Sequence, residues 1–117
     1  MSEKHLEMSV LLDFYGALLN EKQRTAAELY YYEDLSLSEI AENMSITRQG
    51  VHDHIKNAQI FLLSCEDALS LCQKEKALRT SLCDIQKLVS ELSKKYGEDE
   101  KFGQINHLIE GIVNKGI

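Results

Sequence analysis

A chain of 117 residues with no proline, six glycines and a formal charge of −6 has room for one compact domain, or for a small domain with a helical extension, and lacks the turn residues that a β-sandwich or barrel demands. No apolar run reaches the roughly 18 residues needed to span a bilayer, and Glu3, Lys4 and Glu7 stand where a secretion signal would be basic and then apolar. A cytoplasmic, all-α protein with no membrane segment is therefore expected.

In chain order, Leu6, Val10, Phe14 and Ala17, flanked by Leu11 and Leu18, recur at helical spacing and predict a first helix over residues 6–19. Asn20 and Gln23 have the form of a capping box and open a second helix, which Ala26, Ala27, Leu29 and Tyr30 carry to about Tyr32. Three consecutive tyrosines, Tyr30 to Tyr32, point in three directions on a helix, so one or two belong to a core and the rest are half exposed. Ser36 and Glu39 form another capping-box pair ahead of a short helix that turns Leu37, Ile40, Ala41 and Met44 inward. Ser45 and Ile46 interrupt it, and Thr47 can cap a further helix from Arg48.

From there Val51, Ile55, Ala58, Leu62, Cys65, Leu69 and Cys72 alternate at spacings of four and three, an unbroken seam that predicts one helix of about seven turns. A second apolar row, Ile60, Leu63 and Leu71, with Phe61 and Ala68 between the rows, requires partners on more than one side. Leu82, Ile85, Leu88, Val89, Leu92 and Tyr96 predict another helix ending near Gly97, and Phe102, Ile105, Leu108, Ile109, Ile112 and Val113 a last one. Cys65, Cys72 and Cys83 lack metal-ligand spacing and are expected as small apolar core residues. The organisation expected is a domain over residues 1–63 and a helical extension over 64–117.

The segment LSLSEIAENMSITRQGVHDHI, residues 35–55, meets the requirements of a helix-turn-helix. Two short crossing helices need a small residue at the approach, here Ala41, and apolar residues at fixed offsets, here Ile40, Met44, Ile46 and Val51, with Ile55 one turn on. Arg48, Gln49, His52, Lys56 and Asn57 fall on the outward face of the second helix. Arginine and glutamine can read guanine and adenine edges in a major groove, and Lys56 would meet a phosphate. The same residues would also serve as a merely solvated face. Charge bears on the choice: residues 1–63 hold five Lys/Arg against ten Asp/Glu, whereas residues 64–117 hold eight against nine. Phosphate binding draws on clustered cations, so docking on a protein is the competing reading.

Other chemistry fails on spacing. His52 and His54 are two apart and point to different sides of a helix, so they cannot share a metal. There is no glycine-rich phosphate loop, nucleophile elbow or triad. Neither an enzyme nor a cofactor is expected.

The stretch LNEKQRTAAELYYYEDLSLSEIAENMSITRQGVHDHI resembles region 4 of sigma factors through Leu19, Gln23, Arg24, Leu35, Ser36, Glu39, Ile40, Ala41, Val51 and Ile55. Over about residues 6–75 the chain more closely resembles the YlxM or p13-like family, short proteins of Gram-positive bacteria encoded beside the signal recognition particle protein and its receptor. Gly50 departs from the alanine common there, Asp34 from the glycine of many sigma factors, and Asp53 and His54 from the basic or amide residues of DNA-reading helices. The resemblance implies a regulatory nucleic-acid-binding protein of the signal recognition particle pathway, with operon DNA or the particle's RNA as target and the particle's GTPase as a possible protein partner. The seam Leu62, Cys65, Leu69 and Cys72 extends past the reach of a helix-turn-helix, and pairing of two copies is expected to cover it.

Overall fold

Helix starts in the first half of the chain are set by polar side chains that replace missing backbone partners. The computed structural model describes residues 3–115 and forms α1 (Glu3–Tyr15), α2 (Glu21–Tyr31), α3 (Leu37–Met44), α4 (Arg48–Leu69), α5 (Leu71–Tyr96) and α6 (Glu100–Lys115), with a 3-10 turn at Gly16–Leu18. No strand occurs among the described residues, and the fold is all-α. Asn20 accepts from the Gln23 N–H at 2.8 Å, and Thr47 Oγ1 accepts from the Gly50 N–H at 3.0 Å. At Ser36 the box is complete: the Glu39 N–H donates to Ser36 Oγ and the Ser36 N–H to Glu39 Oε1, each at 3.1 Å.

The chain divides into two compact units, Met1–Cys72 and Gln73–Ile117. In the first, α2 packs along α4, and Ala26 and Ala27 of α2 and Ala58 of α4 are wholly buried. Tyr31, Ile40, Val51, Ile55 and Leu62 complete that layer. Tyr31 is buried, Tyr30 half-buried and Tyr32 exposed, the division that three consecutive helical positions impose. Cys65 and Cys72, past the end of the motif, are partly buried against the core of the first unit.

α1 presents the opposite face from the one its spacing predicts. Met8, Leu11, Leu12, Tyr15 and Leu19 are buried, whereas Leu6, Val10 and Leu18 are exposed and Phe14 is only partly covered. The helix is apolar almost all round, so periodicity cannot select the buried side.

The predicted seven-turn helix is two helices. Ser70 adopts a left-handed conformation (φ 55°) and ends α4, its N–H returning to the Glu66 carbonyl at 2.8 Å. The first N–H groups of α5 then need partners. The Tyr15 hydroxyl accepts from the Leu71 N–H at 3.0 Å and donates to Glu66 Oε1 at 2.6 Å, and Glu66 Oε1 accepts from the Cys72 N–H at 3.1 Å. Burial, and then the bond to Glu66, push the Tyr15 hydroxyl above its ordinary pKa, so it remains a donor at neutral pH. Tyr15→Phe removes both bonds while keeping the ring. It is expected to lower the melting temperature by several degrees, read by circular dichroism, with little change in helix content at 20 °C.

Leu62, expected to lie beyond what the helix-turn-helix can bury, is wholly buried in the first unit, where α1 and α2 both pack on α4. Of the seam, only Leu69 remains exposed, together with Ile60, Leu63 and Leu71 of the second row and Phe61 between the rows.

In the second unit, α5 begins eleven residues before the predicted start at Leu82, and Leu78, Leu82, Ile85, Val89, Leu92 and Tyr96 continue along it at alternating spacings of four and three. Gly97, with φ 84°, stops the helix as expected. Asp99 starts α6 by accepting from the Lys101 N–H on its side chain and from the Phe102 N–H on its carbonyl. Leu82, Val89 and Ile109 are the buried apolar residues of this unit. Cys83 is exposed rather than in a core, because it falls on the face of α5 opposite this seam.

Candidate nucleic-acid interface

The helix-turn-helix is built from α3, a three-residue turn and α4. Ile40 is wholly buried, Ala41 half-buried, and the turn closes on the Ala41 carbonyl, which accepts from the Ile46 N–H at 3.1 Å. Ser45 makes the turn in a left-handed conformation (φ 58°), a geometry usually left to glycine. Val51 and Ile55 are buried and Met44 and Ile46 half-buried, so the apolar set predicted for the motif packs inward as a group.

Two consequences of the Ser36–Glu39 box can be measured. Ser36→Ala is expected to cost about 1 kcal/mol, the usual worth of a helix N-cap, in urea unfolding. Hydrogen bonds from the backbone N–H and then the side chain of Ser36 hold the Glu39 carboxyl below its ordinary range. Its folded pKa is thus the lower one, and its contribution is complete above the unfolded carboxylate value and lost as the pH falls through the folded value. The parent should therefore lose more stability on acidification than Glu39→Gln does; equal acid transitions would contradict the box.

Gln49, His52, Lys56 and Asn57 are exposed away from the inward Val51, Ile55 and Ala58, and Arg48, seven residues before Ile55 and so in line with it, is exposed at the first position of α4. Among the described residues the side chains of Arg48, Lys56 and Asn57 form no hydrogen bond or ion pair. Gln49 and His52 are different. Gln49 Nε2 donates to Asp53 Oδ1 at 3.0 Å, and His52 Nδ1 lies 3.6 Å from the same oxygen. Asp53, one turn after Gln49, therefore occupies the two middle members of the predicted set, and its i, i+4 spacing from Gln49 was the signal for it. Arg24, another cation of the stretch that resembles sigma factors, is held by Glu28 at 2.8 Å.

A groove lined by Tyr30, Leu37, His52, Ile55, Lys56 and Gln59 runs beside the outer row. The partly exposed Tyr30 lines it with His52 and Lys56. The arrangement offers two free donors, Arg48 and Lys56, an amide at Asn57, and a Gln–Asp–His group whose contacts must rearrange for Gln49 to reach a base edge.

The family described as "Putative helix-turn-helix protein, YlxM / p13 like" matches residues 2–108. The chain belongs to this family. A UPF0122 protein of Clostridium kluyveri is 50% identical over 74 residues, covering 63% of this chain and 67% of that protein. UPF0122 proteins of Bacillus thuringiensis and Bacillus cereus are each 44% identical over 91 residues, covering 78% of this chain and 83% of theirs. The family is a helix-turn-helix family and not an enzyme family, and the match extends past the motif through α5 into α6. In this member of the family no described helix is long and apolar enough to cross a membrane.

Proposed function

We propose that this YlxM/p13-like protein is a cytoplasmic regulator that binds nucleic acid through the outer face of α4, acting in the signal recognition particle pathway. The observation that carries the reading is the row Arg48, Gln49, His52, Lys56 and Asn57, exposed on the second helix of a fully capped helix-turn-helix. The pathway rests on the resemblance of residues 6–75 to proteins encoded beside the particle's components, and the target is operon DNA or the particle's RNA. Pairing of two copies, through Leu69 with the exposed Ile60 and Leu63, would present two recognition helices to paired half-sites. A titration of labelled operon DNA and of the particle RNA, each at two salt concentrations, tests the reading. A salt-dependent shift with either supports it; no shift with either at micromolar protein refutes it.

A second reading is favoured by charge. Residues 1–63 hold twice as many acids as bases, and Asp53 engages two of the five outward residues. A protein-docking module, with the particle's GTPase as partner, would then use the same surface. Altered GTPase turnover on adding the protein without RNA would support this reading over the first.

A further inference from the structure

The two units differ in charge as much as in fold. Residues 1–72 hold five Lys/Arg against twelve Asp/Glu, whereas residues 73–117 hold eight against seven, and α5 alone carries six against three. The cations of α5 are not scattered. Lys76 and Lys87 are eleven residues apart, Lys87 and Lys94 seven, and Lys76 and Lys94 eighteen. At 3.6 residues per turn these separations are close to three, two and five whole turns, so the three lysines stand in one line along the helix, spanning about 27 Å. Arg79 lies beside the line, and Glu75 on its flank pairs with it.

Three features make this line a surface rather than an incidental charge run. Every residue on it, Lys76, Thr80, Cys83, Lys87, Ser90 and Lys94, is exposed. Between the lysines stand only small side chains, which let an extended polyanion approach the helix closely. No carboxylate falls on the line, since Asp84 and Glu91 sit together on a flank and the apolar seam through Leu82 and Val89 takes the far side. Each strand of duplex DNA offers one negative charge per about 3.4 Å of axis, so cations roughly 10 to 17 Å apart on a straight rod each find phosphates nearby. An acidic protein surface offers no such regular row.

We infer that the Lys76–Lys87–Lys94 face of α5 is a second nucleic-acid contact, which binds the phosphate backbone without reading sequence. The inference rests on the reading that the chain binds nucleic acid, and assigns a share of that binding to a surface outside the helix-turn-helix. It also answers the charge objection, because the acidic first unit need not supply the electrostatic attraction itself.

The test is fluorescence anisotropy of the full-length protein with a labelled random-sequence DNA duplex and, separately, a random single-stranded RNA, over a series of salt concentrations. Three variants are compared with the parent: Lys76→Gln/Lys87→Gln/Lys94→Gln, the charge-matched Lys74→Gln/Lys95→Gln/Lys101→Gln, and Arg48→Ala/Lys56→Ala. All the altered side chains are exposed, and unchanged circular dichroism confirms folding. With about 0.7 to 0.9 counterions released per phosphate contact, the first variant should reduce the salt slope by two to three units and weaken binding at least tenfold near 0.1 M salt, and the matched control by less than one unit. Which nucleic acid loses more slope identifies the preferred backbone. If both triple variants fall equally, only net charge matters and the assignment to this face is wrong. If the parent binds neither probe, the face is a solvated surface. Loss of slope only in Arg48→Ala/Lys56→Ala would overturn the α5 contact and leave the α4 reading standing; loss only in the first variant would do the reverse.

Discussion

Arg48→Ala/Lys56→Ala is expected to bind its nucleic-acid target ten- to a hundredfold more weakly than the parent while unfolding at the same urea concentration. Both residues are exposed and make no contact that holds the fold, so their removal leaves the core intact. Arg48 stands at the first position of α4, where the helix-turn-helix geometry brings side chains to base edges, and a good arginine contact discriminates by about 1 to 3 kcal/mol. Lys56, two turns on, is placed for a phosphate, and its loss should lower the salt slope by about one unit whatever the sequence. The two effects therefore separate: Arg48→Ala alone should narrow the gap between target and random sequence, and Lys56→Ala alone should shift both equally. Asp53→Asn gives the complementary change. It frees Gln49 and removes a negative charge beside His52, so tighter binding is expected; weaker binding would mean that the Gln49–Asp53 pair itself is part of the reader.

Leu62→Ala is expected to destabilise the protein by about 2 to 5 kcal/mol, the range for a large side chain removed from a closed core. Leu62 is wholly buried, and such a loss is a large fraction of the 5 to 15 kcal/mol typical of a whole domain. A fall in melting temperature on the order of 10 °C or more should follow. Leu69 is 47% exposed, so Leu69→Ala should cost under about 1 kcal/mol in a single chain. Measuring both by urea unfolding at two protein concentrations turns the contrast into a test of assembly. If Leu69 lies in a contact between copies, its substitution costs more at high concentration than at low, and light scattering of the parent gives twice the 13.3 kDa chain mass. Equal costs for Leu62→Ala and Leu69→Ala would contradict the burial of Leu62 in the core.

The helix-turn-helix was legible in the chain because its determinants are local. Ser36 and Glu39 close a box three residues apart, Thr47 caps α4 three residues before Gly50, and the inward set from Ile40 to Ile55 repeats at helical spacing. Family membership follows from the same stretch. The inward set on α4 turns Gln49, Lys56 and Asn57 outward, whereas Arg48, in line with Ile55, is exposed at the first position of the helix. Asp53 shows where local reading stopped short: its pairing with Gln49 lay in the spacing but needed side-chain geometry to be seen.

Three matters were decided by tertiary structure. The buried side of α1 was one, because a helix apolar on nearly every side carries no period, and only packing against α2 and α4 selects Met8, Leu11, Leu12 and Tyr15 over Leu6 and Val10. The burial of Leu62 was another, since a residue past the motif looks uncovered until the packing of α1 and α2 on α4 is known. The third was the break at Ser70. The heptad from Val51 to Cys72 runs through it without a glycine or proline, and local propensity favours one continuous helix. A left-handed serine ends α4 there, where the Tyr15 hydroxyl and the Glu66 carboxylate take up the first N–H groups of α5. Tyr15 is 56 residues from Leu71, so no window along the chain contains both the break and the hydroxyl that caps it.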